Sequence, residues 1–314
     1  MAKPQATVED GFKLFAKNTD LTLAEYLLVT QSQAEIEQFL RAFFPAFSTV
    51  LHGSFSRKTM ISPLRGASIN MLVLFQDSQI KHRLPSLVFK ELSECFVEQY
   101  PDTQSIKNSN TIIVPIENFS FNIQPGYSTD DHVYMLPAPI FNDWIKHDSH
   151  HYNEYFVKVN VHHKGELTAI VRMIKTWNRI SGKYFDGYYL ELLVTDLMAR
   201  CESRSLSESI CYIFKTALNE VVFQKQDPAN KEFDVEGLYD IENLIKAMLL
   251  LKESYRIAEE AIAFEQRNEM EKAIACWNQL FPGVFPTHTD MVISKIRNKG
   301  VKGADALRMM LDHK

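Results

Sequence analysis

Residues 52–75, HGSFSRKTMISPLRGASINMLVLF, constrain the fold more than any other stretch of the chain. A Gly-Ser turn, Gly53 and Ser54, is followed about fifteen residues later by the apolar run INMLVLF, residues 69–75, which has the length and composition of a strand. Side chains alternate along a strand, so Ser68 and Asn70 share one face. Residues 111–124, TIIVPIENFSFNIQ, read as two more strands interrupted at 115–118, and 84–100 between them read as a helix. Upstream, Leu23, Tyr26, Leu27, Ile36, Phe39, Leu40 and Phe43 recur every three or four positions, the signature of helix with one buried face. The first half is therefore an α/β unit on a small mixed sheet, preceded by helix.

Beyond Pro139 the character changes. Residues 169–180, 188–201, 205–223 and 241–280 all carry helical periodicity with few strand signals. Asp227-Pro228 and Asn230 mark a loop inside this helical lobe, and FPGVFP at 281–286 closes its last helix. These signals predict a core over 1–150 that includes the N-terminal helix, an all-helical domain over 151–286, and a short basic tail over 287–314 carrying Lys295, Arg297, Lys299, Lys302 and Arg308.

Composition narrows the partners. A formal charge of -5 disfavours general attraction to nucleic acid or an anionic membrane. No stretch approaches the roughly 18 apolar residues of a membrane span, and residues 1–7 lack the regions of a signal peptide, which predicts a cytoplasmic protein. Cys95, Cys201, Cys211 and Cys276 are scattered without a close pair, and are expected to be thiols serving as small buried hydrophobes.

A Gly-Ser turn offers backbone N–H groups and a hydroxyl to a triphosphate. Polymerase-like nucleotidyl transfer adds two carboxylates at i and i+2 of the next strand and a third from a neighbouring strand, which together hold two divalent ions. Four motifs in order carry a resemblance to such enzymes: GSFSRKT (53–59), TAIVRMIKTWNR (168–179), GYYLELL (187–193) and the helical ending 241–286 with its Ala-Ile-x-x-Trp segment and Phe-Pro stop. With these the chain resembles the bacterial relatives of cyclic GMP-AMP synthase, the CD-NTase or SMODS nucleotidyltransferases of antiphage defence. The resemblance implies a polymerase-beta-like nucleotidyltransferase core with a C-terminal helical lobe, and nucleotide contacts from Gly53, Ser54, Thr59, Lys175 and Gly187. It also implies aspartates at 68, 70 and 122, where this sequence has Ser68, Asn70 and Asn122. Lys58 stands in place of the glycine usual before the threonine, and Gly187 in place of a frequent serine.

Serine and asparagine are weak ligands for a hard dication, so no metal is expected as written, although Mg2+ would be required by an active relative. Asp77 lies beyond the strand end and Glu117 has the wrong parity to face Asn122, so neither replaces the missing acids. The resulting expectation is a pseudoenzyme that binds a nucleotide, an oligonucleotide or a protein partner. Two alternatives stand beside it: an inactivated form of a Mg-dependent synthase of oligonucleotide messengers, and an interaction module with no nucleotide ligand. His147, His150, His151, His162 and His163 cluster in sequence, but KHDSHHYN reads as polar loop, so surface histidines are expected rather than a metal site. Trp177, Tyr184, Tyr188, Tyr189 and Trp277 are expected in the core rather than stacked on a base.

Overall fold

The structure, a computed structural model, describes residues 6–130, 133–138, 142–230, 233–235 and 240–298. The chain opens with α1 (Val8–Asn18) and α2 (Leu23–Leu40), each started by a capping box, Thr7 with Asp10 and Thr22 with Glu25. There follow β1 (Phe47–His52), β2 (Ala67–Phe75), α3 (Asp77–Ile80), α4 (Pro85–Gln99), β3 (Gln104–Ile106), β4 (Thr111–Ile116), β5 (Phe119–Asp130), β6 (Val133–Pro137), β7 (Trp144–Asp148) and α5 (Ser149–His162). The remainder comprises α6 (Leu167–Ile180), α7 (Gly187–Ala199), α8 (Leu206–Glu220), the short pair β8 (Lys225–Gln226) and β9 (Asp234–Val235), α9 (Ile241–Gln266), α10 (Met270–Leu280) and α11 (His288–Asn298).

Two compact units result. The sheet unit is Asp20–Lys158 with Gln226–Val235, and the helical unit gathers the described residues of Met1–Thr19, Val159–Lys225 and Glu236–Lys314. The sheet runs β1-β2-β5-β4-β3, with β6 joined to β5 and β7 to β6. Only β2 and β5 pair in parallel among the seven strands, so the sheet is mixed as expected. One face is apolar: Ile69, Met71 and Val73 of β2 and Phe121 and Ile123 of β5 pack with Val29, Ile36 and Leu40 of α2 and Val88, Leu92 and Phe96 of α4. Full burial of each such side chain contributes about 1.5–3 kcal/mol, and this one-sided core fixes the register, because a one-residue slip would turn it to the opposite face. The opposite face carries Leu72, Leu74, Tyr134 and Leu136 toward the C-terminal end of β2, and polar residues at its start.

Four expectations are corrected. The helix read over Leu23 to Phe43 is α2 and lies in the sheet unit, but residues 8–18, inside the 1–150 bound, form α1 of the helical unit, where Phe12 and Phe15 pack on Trp277, Phe281 and Phe285, and the chain passes between units near 158 rather than 150. Residues 288–298 of the expected tail form α11, and Lys295 pairs with Asp10 of α1 at 2.6 Å; Lys299, Lys302 and Arg308 lie outside the described residues. KHDSHHYN is the end of β7 and the start of α5 rather than a loop, so His147 and His151 do not share a helix face, and His163 is buried with Nε2 2.8 Å from the Met198 carbonyl. Cys95 and Cys211 are only half-buried, whereas Cys201 and Cys276 are buried. Trp177, Tyr189 and Trp277 are core residues, with Tyr184 and Tyr188 half-buried.

Candidate functional site

The Gly-Ser turn leaves the end of β1 in the left-handed region, with Gly53 at φ 72°. A Cβ there would also lie 3.2 Å from Asn70 Nδ2, so both backbone and space favour glycine. The turn then folds on itself. Arg57 N donates to the Gly53 carbonyl, and Thr59 N and Met60 N to that of Ser54. Phe55 is buried and stacks on Tyr26 of α2 at 5.3 Å. The carboxylate of Glu25 accepts from Ser62 Oγ and Leu64 N, both at 2.9 Å, which ties the loop after the turn to the start of α2. Thr59 is fully buried with its hydroxyl near the Ser54 carbonyl, 3.4 Å, a position that shapes the turn from within. Lys58 adopts φ 59°, the conformation that glycine takes at least cost.

Register brings the three expected acid positions together. In the parallel β2–β5 pair, Ser68 stands beside Ser120 and Asn70 beside Asn122, and across β1 Asn70 stands beside His52. Residues in register on neighbouring strands share a face, so Ser68, Asn70, Asn122 and His52 form one polar patch below the Gly53 turn. Ser68 Oγ and Ser120 Oγ lie 3.5 Å apart, and Asn122 Oδ1 is buried with no hydrogen-bond partner. Nothing in this patch has the charge a pair of dications requires, and no group of three or more His, Cys, Asp or Glu side chains able to hold a metal occurs among the described residues. Magnesium does not fit this donor set. Asp77 is exposed and paired with Lys81 at 3.2 Å, and Glu117 sits at φ 38° in the β4–β5 turn, so neither takes the missing place.

Sequence reading passed over the basic side of the patch. His52 is half-buried, its ring 6.3 Å from that of His147 in T-shaped contact. Arg57 lies over the Tyr152 ring at 4.9 Å and donates to Asn153 Oδ1 at 3.3 Å. Burial, then repulsion from His147 and Arg57, pushes His52 down to about 3. Burial also lowers His147, against the pull of Asp227 and Asp148. The signal available in sequence was His52 directly before Gly53, but its neighbours come from β7 and α5 and need the fold.

Lys175 and Gly187, expected to meet phosphates, stand in the helical unit. Lys175 Nζ donates to Glu191 Oε2 at 2.7 Å, with both side chains buried, the pair joining α6 to α7. Gly187 opens α7 after its N-cap Asp186, whose carboxylate accepts from Tyr188 N and Tyr189 N. A Cβ on Gly187 would meet Lys175 Cε at 4.0 Å, ordinary contact, so a serine would fit there.

Residues 6–160 match the family described as second messenger oligonucleotide or dinucleotide synthetase domain. A probable cyclic nucleotide synthase of Bacillus cereus is 23% identical over 189 residues, 59% of this chain; the chain spans 57% of that relative's length. CdnC of E. coli, solved with ATP, superposes with a TM-score of 0.65 at 15% identity over 89% of this chain and 99% of its own. A complex of CdnC with HORMA matches equally at 0.65 and 14%, over 91% of this chain and 100% of that one. The Vibrio cholerae DncV cyclic AMP-GMP synthase, holding a linear intermediate, matches at 0.61 and 14%, over 89% and 86%.

Proposed function

The chain belongs to the CD-NTase family and has its nucleotidyltransferase fold, and from that premise we propose that it is a pseudoenzyme, one that binds where its relatives transfer. The observation that carries this is the register: Ser68, Asn70 and Asn122 meet on one face beside the Gly53 turn and bring no carboxylate. Its ligand is a nucleotide, an oligonucleotide or a protein partner, and its setting is antiphage defence, as in the family it belongs to. The structure of CdnC with HORMA supports looking for a protein partner. No helix among the described residues is long and apolar enough to cross a membrane. Incubation with each nucleoside triphosphate in magnesium or manganese is expected to release no pyrophosphate above background. Clear release would end this reading.

A second reading has its own observation. Asn122 Oδ1 is a buried acceptor without a partner, the place where a carboxylate would face a metal, and Asn70 and Asn122 are isosteres of aspartate. This favours an inactivated form of a magnesium-dependent synthase. Aspartate at 68, 70 and 122 together is the check: pyrophosphate release from the triple variant supports recent loss, and continued inactivity in a folded protein counts against it.

A further inference from the structure

We propose that the first turns of α9 are an association surface for a second copy of this chain, which lays its own α9 there antiparallel about a two-fold axis. The surface belongs wholly to the helical unit and stands whether or not the Gly53 patch binds a ligand. Ile241, Ile245 and Leu249 are 73%, 53% and 62% exposed. A single exposed leucine needs no explanation, but large apolar side chains at i, i+4 and i+8 of one helix make a continuous stripe. The fold does not need this stripe, because α9 is held by its other face, where Ala247, Leu251, Ile257 and Ala258 are buried. The patch also widens sideways. α8 runs antiparallel to α9, with Ser207 Oγ 3.3 Å from Glu265 Oε2 and Lys215 Nζ 5.8 Å from the Tyr255 ring centroid. Carried to the end of α8, this register brings Val222 and Phe223 level with about residues 247–249, and both are exposed, Phe223 at 65%.

The charges along the stripe select its occupant. Successive helical residues turn by about 100°, so Ile241, Ile245, Leu249, Lys252 and Arg256 fall within an arc of about 80°, with Glu242 at its edge. The face is therefore acidic at its N-terminal end, apolar in the middle and basic at its C-terminal end. Such a face complements a copy of itself turned end for end. A two-fold axis between Ile245 and Leu249 seats Ile245 of each copy against Leu249 of the other and sets Glu242 opposite Lys252 at both ends. Among the described residues no ion pair engages Lys252. Glu242 pairs with Lys246 at 2.6 Å, an exposed contact one turn along that exchanges at little cost. An anionic membrane is a poorer occupant, because Glu242, Glu253 and Glu260 line one flank of the stripe, where they would meet the headgroups. One helix pair flanked by Val222 and Phe223 makes a small interface, so the association is weak and depends on concentration.

Sedimentation velocity of the full chain from about 1 to about 200 µM tests this over the range in which small interfaces dissociate. The weight-average mass is expected to climb from the monomer's 36.2 kDa toward twice that value. Ile245→Glu places a charge at the centre of the stripe and should weaken self-association about tenfold or more. Two charge reversals at exposed positions single out the antiparallel arrangement. Glu242→Lys and Lys252→Glu each set like charges opposite one another and should weaken association about threefold. Mixed one to one, the two variants should associate as wild type does, because each end of the mixed dimer then joins opposite signs. A wild-type chain that stays monomeric throughout overturns the proposal. So does a dimer that is indifferent to Ile245→Glu or that mixing the reversals fails to restore. A monomer that floats with phosphatidylcholine or phosphatidylserine vesicles, and loses this with Ile245→Glu, assigns the stripe to lipid and likewise overturns it. Because the reversals do not touch the buried face of α9, misfolding of Ile245→Glu would not protect the proposal.

Discussion

Several motif side chains of the helical unit are satisfied where the polar patch of the sheet unit is not, although Trp277 Nε1 in the helical unit is also buried without a hydrogen-bond partner. In the helical unit, family-like polar residues bond to one another: Lys175 with Glu191, Asn178 with the backbone of Phe185, Trp177 Nε1 with Ser254, and His163 with Met198. In the sheet unit, the polar patch below Gly53 contains an unpartnered Asn122 oxygen, a long Ser68–Ser120 contact and two histidines held neutral by their surroundings. Polar groups satisfied internally stabilise a fold; polar groups left poorly satisfied await something from outside. The motif residues of the helical lobe are in this sense architectural, and the altered pocket is where function has to be sought.

The largest break in that contrast comes from Glu191→Ala, which removes the carboxylate from Lys175 in a buried setting and is expected to cost about 3–5 kcal/mol by urea denaturation. The double replacement Lys175→Met with Glu191→Leu should recover most of the loss. A small effect of Glu191→Ala would mean that Lys175 is not held as a structural pair. Next in size, Gly53→Ala forces a side chain into the left-handed region against Asn70, with an expected loss of about 1–2 kcal/mol.

Acid sensitivity sharpens the comparison from the other unit. His52 has a folded pKa near 3, below its unfolded value, so the folded state binds fewer protons than the unfolded one between those values. Its contribution is complete above the unfolded pKa and is lost as pH falls toward 3. Between pH 7 and pH 5, His52→Gln is expected to lose about 1–2 kcal/mol less than wild type, read from denaturation midpoints at each pH. An equal loss in both proteins would show that His52 is solvated rather than held neutral. The smallest effect belongs to Asn122→Leu, which removes an unsatisfied buried acceptor at similar volume and should leave stability unchanged or raise it by up to about 1 kcal/mol in calorimetry. A clear loss would mean that the amide is satisfied by its surroundings.

Much of the architecture was legible in the sequence because local signals agreed with it. The apolar run INMLVLF gave β2, the break at 115–118 gave the β4–β5 turn, and the departure at Lys58 marked a left-handed residue where the resembled family uses glycine. What stayed hidden depends on long-range pairing. β1 sits in a stretch that its helical neighbours dominate, and β6 and β7 are short strands whose place comes from pairing with β5 and each other. α1 went unread, and the 1–150 bound enclosed it, because its apolar partners on α10 and in 281–285 are distant in sequence. For the same reason the positions where the resemblance implies aspartates, 68, 70 and 122, could be named, whereas Arg57 with Tyr152, and His52 with His147, could not.

The parallel pairing of β2 with β5 has a consequence in time. Asn70 and Asn122 are about fifty residues apart in the chain, and α3, α4, β3 and β4 must be threaded before they become neighbours. Contacts of such separation form late, because loop closure has to be met before they contribute. Closing the patch therefore carries the entropy of a loop of about fifty residues, while helix pairs such as α9 and α10 join near neighbours. Amide exchange at β2 and β5 is consequently a direct clock for the integrity of the pocket, and a ligand seated there would slow it most.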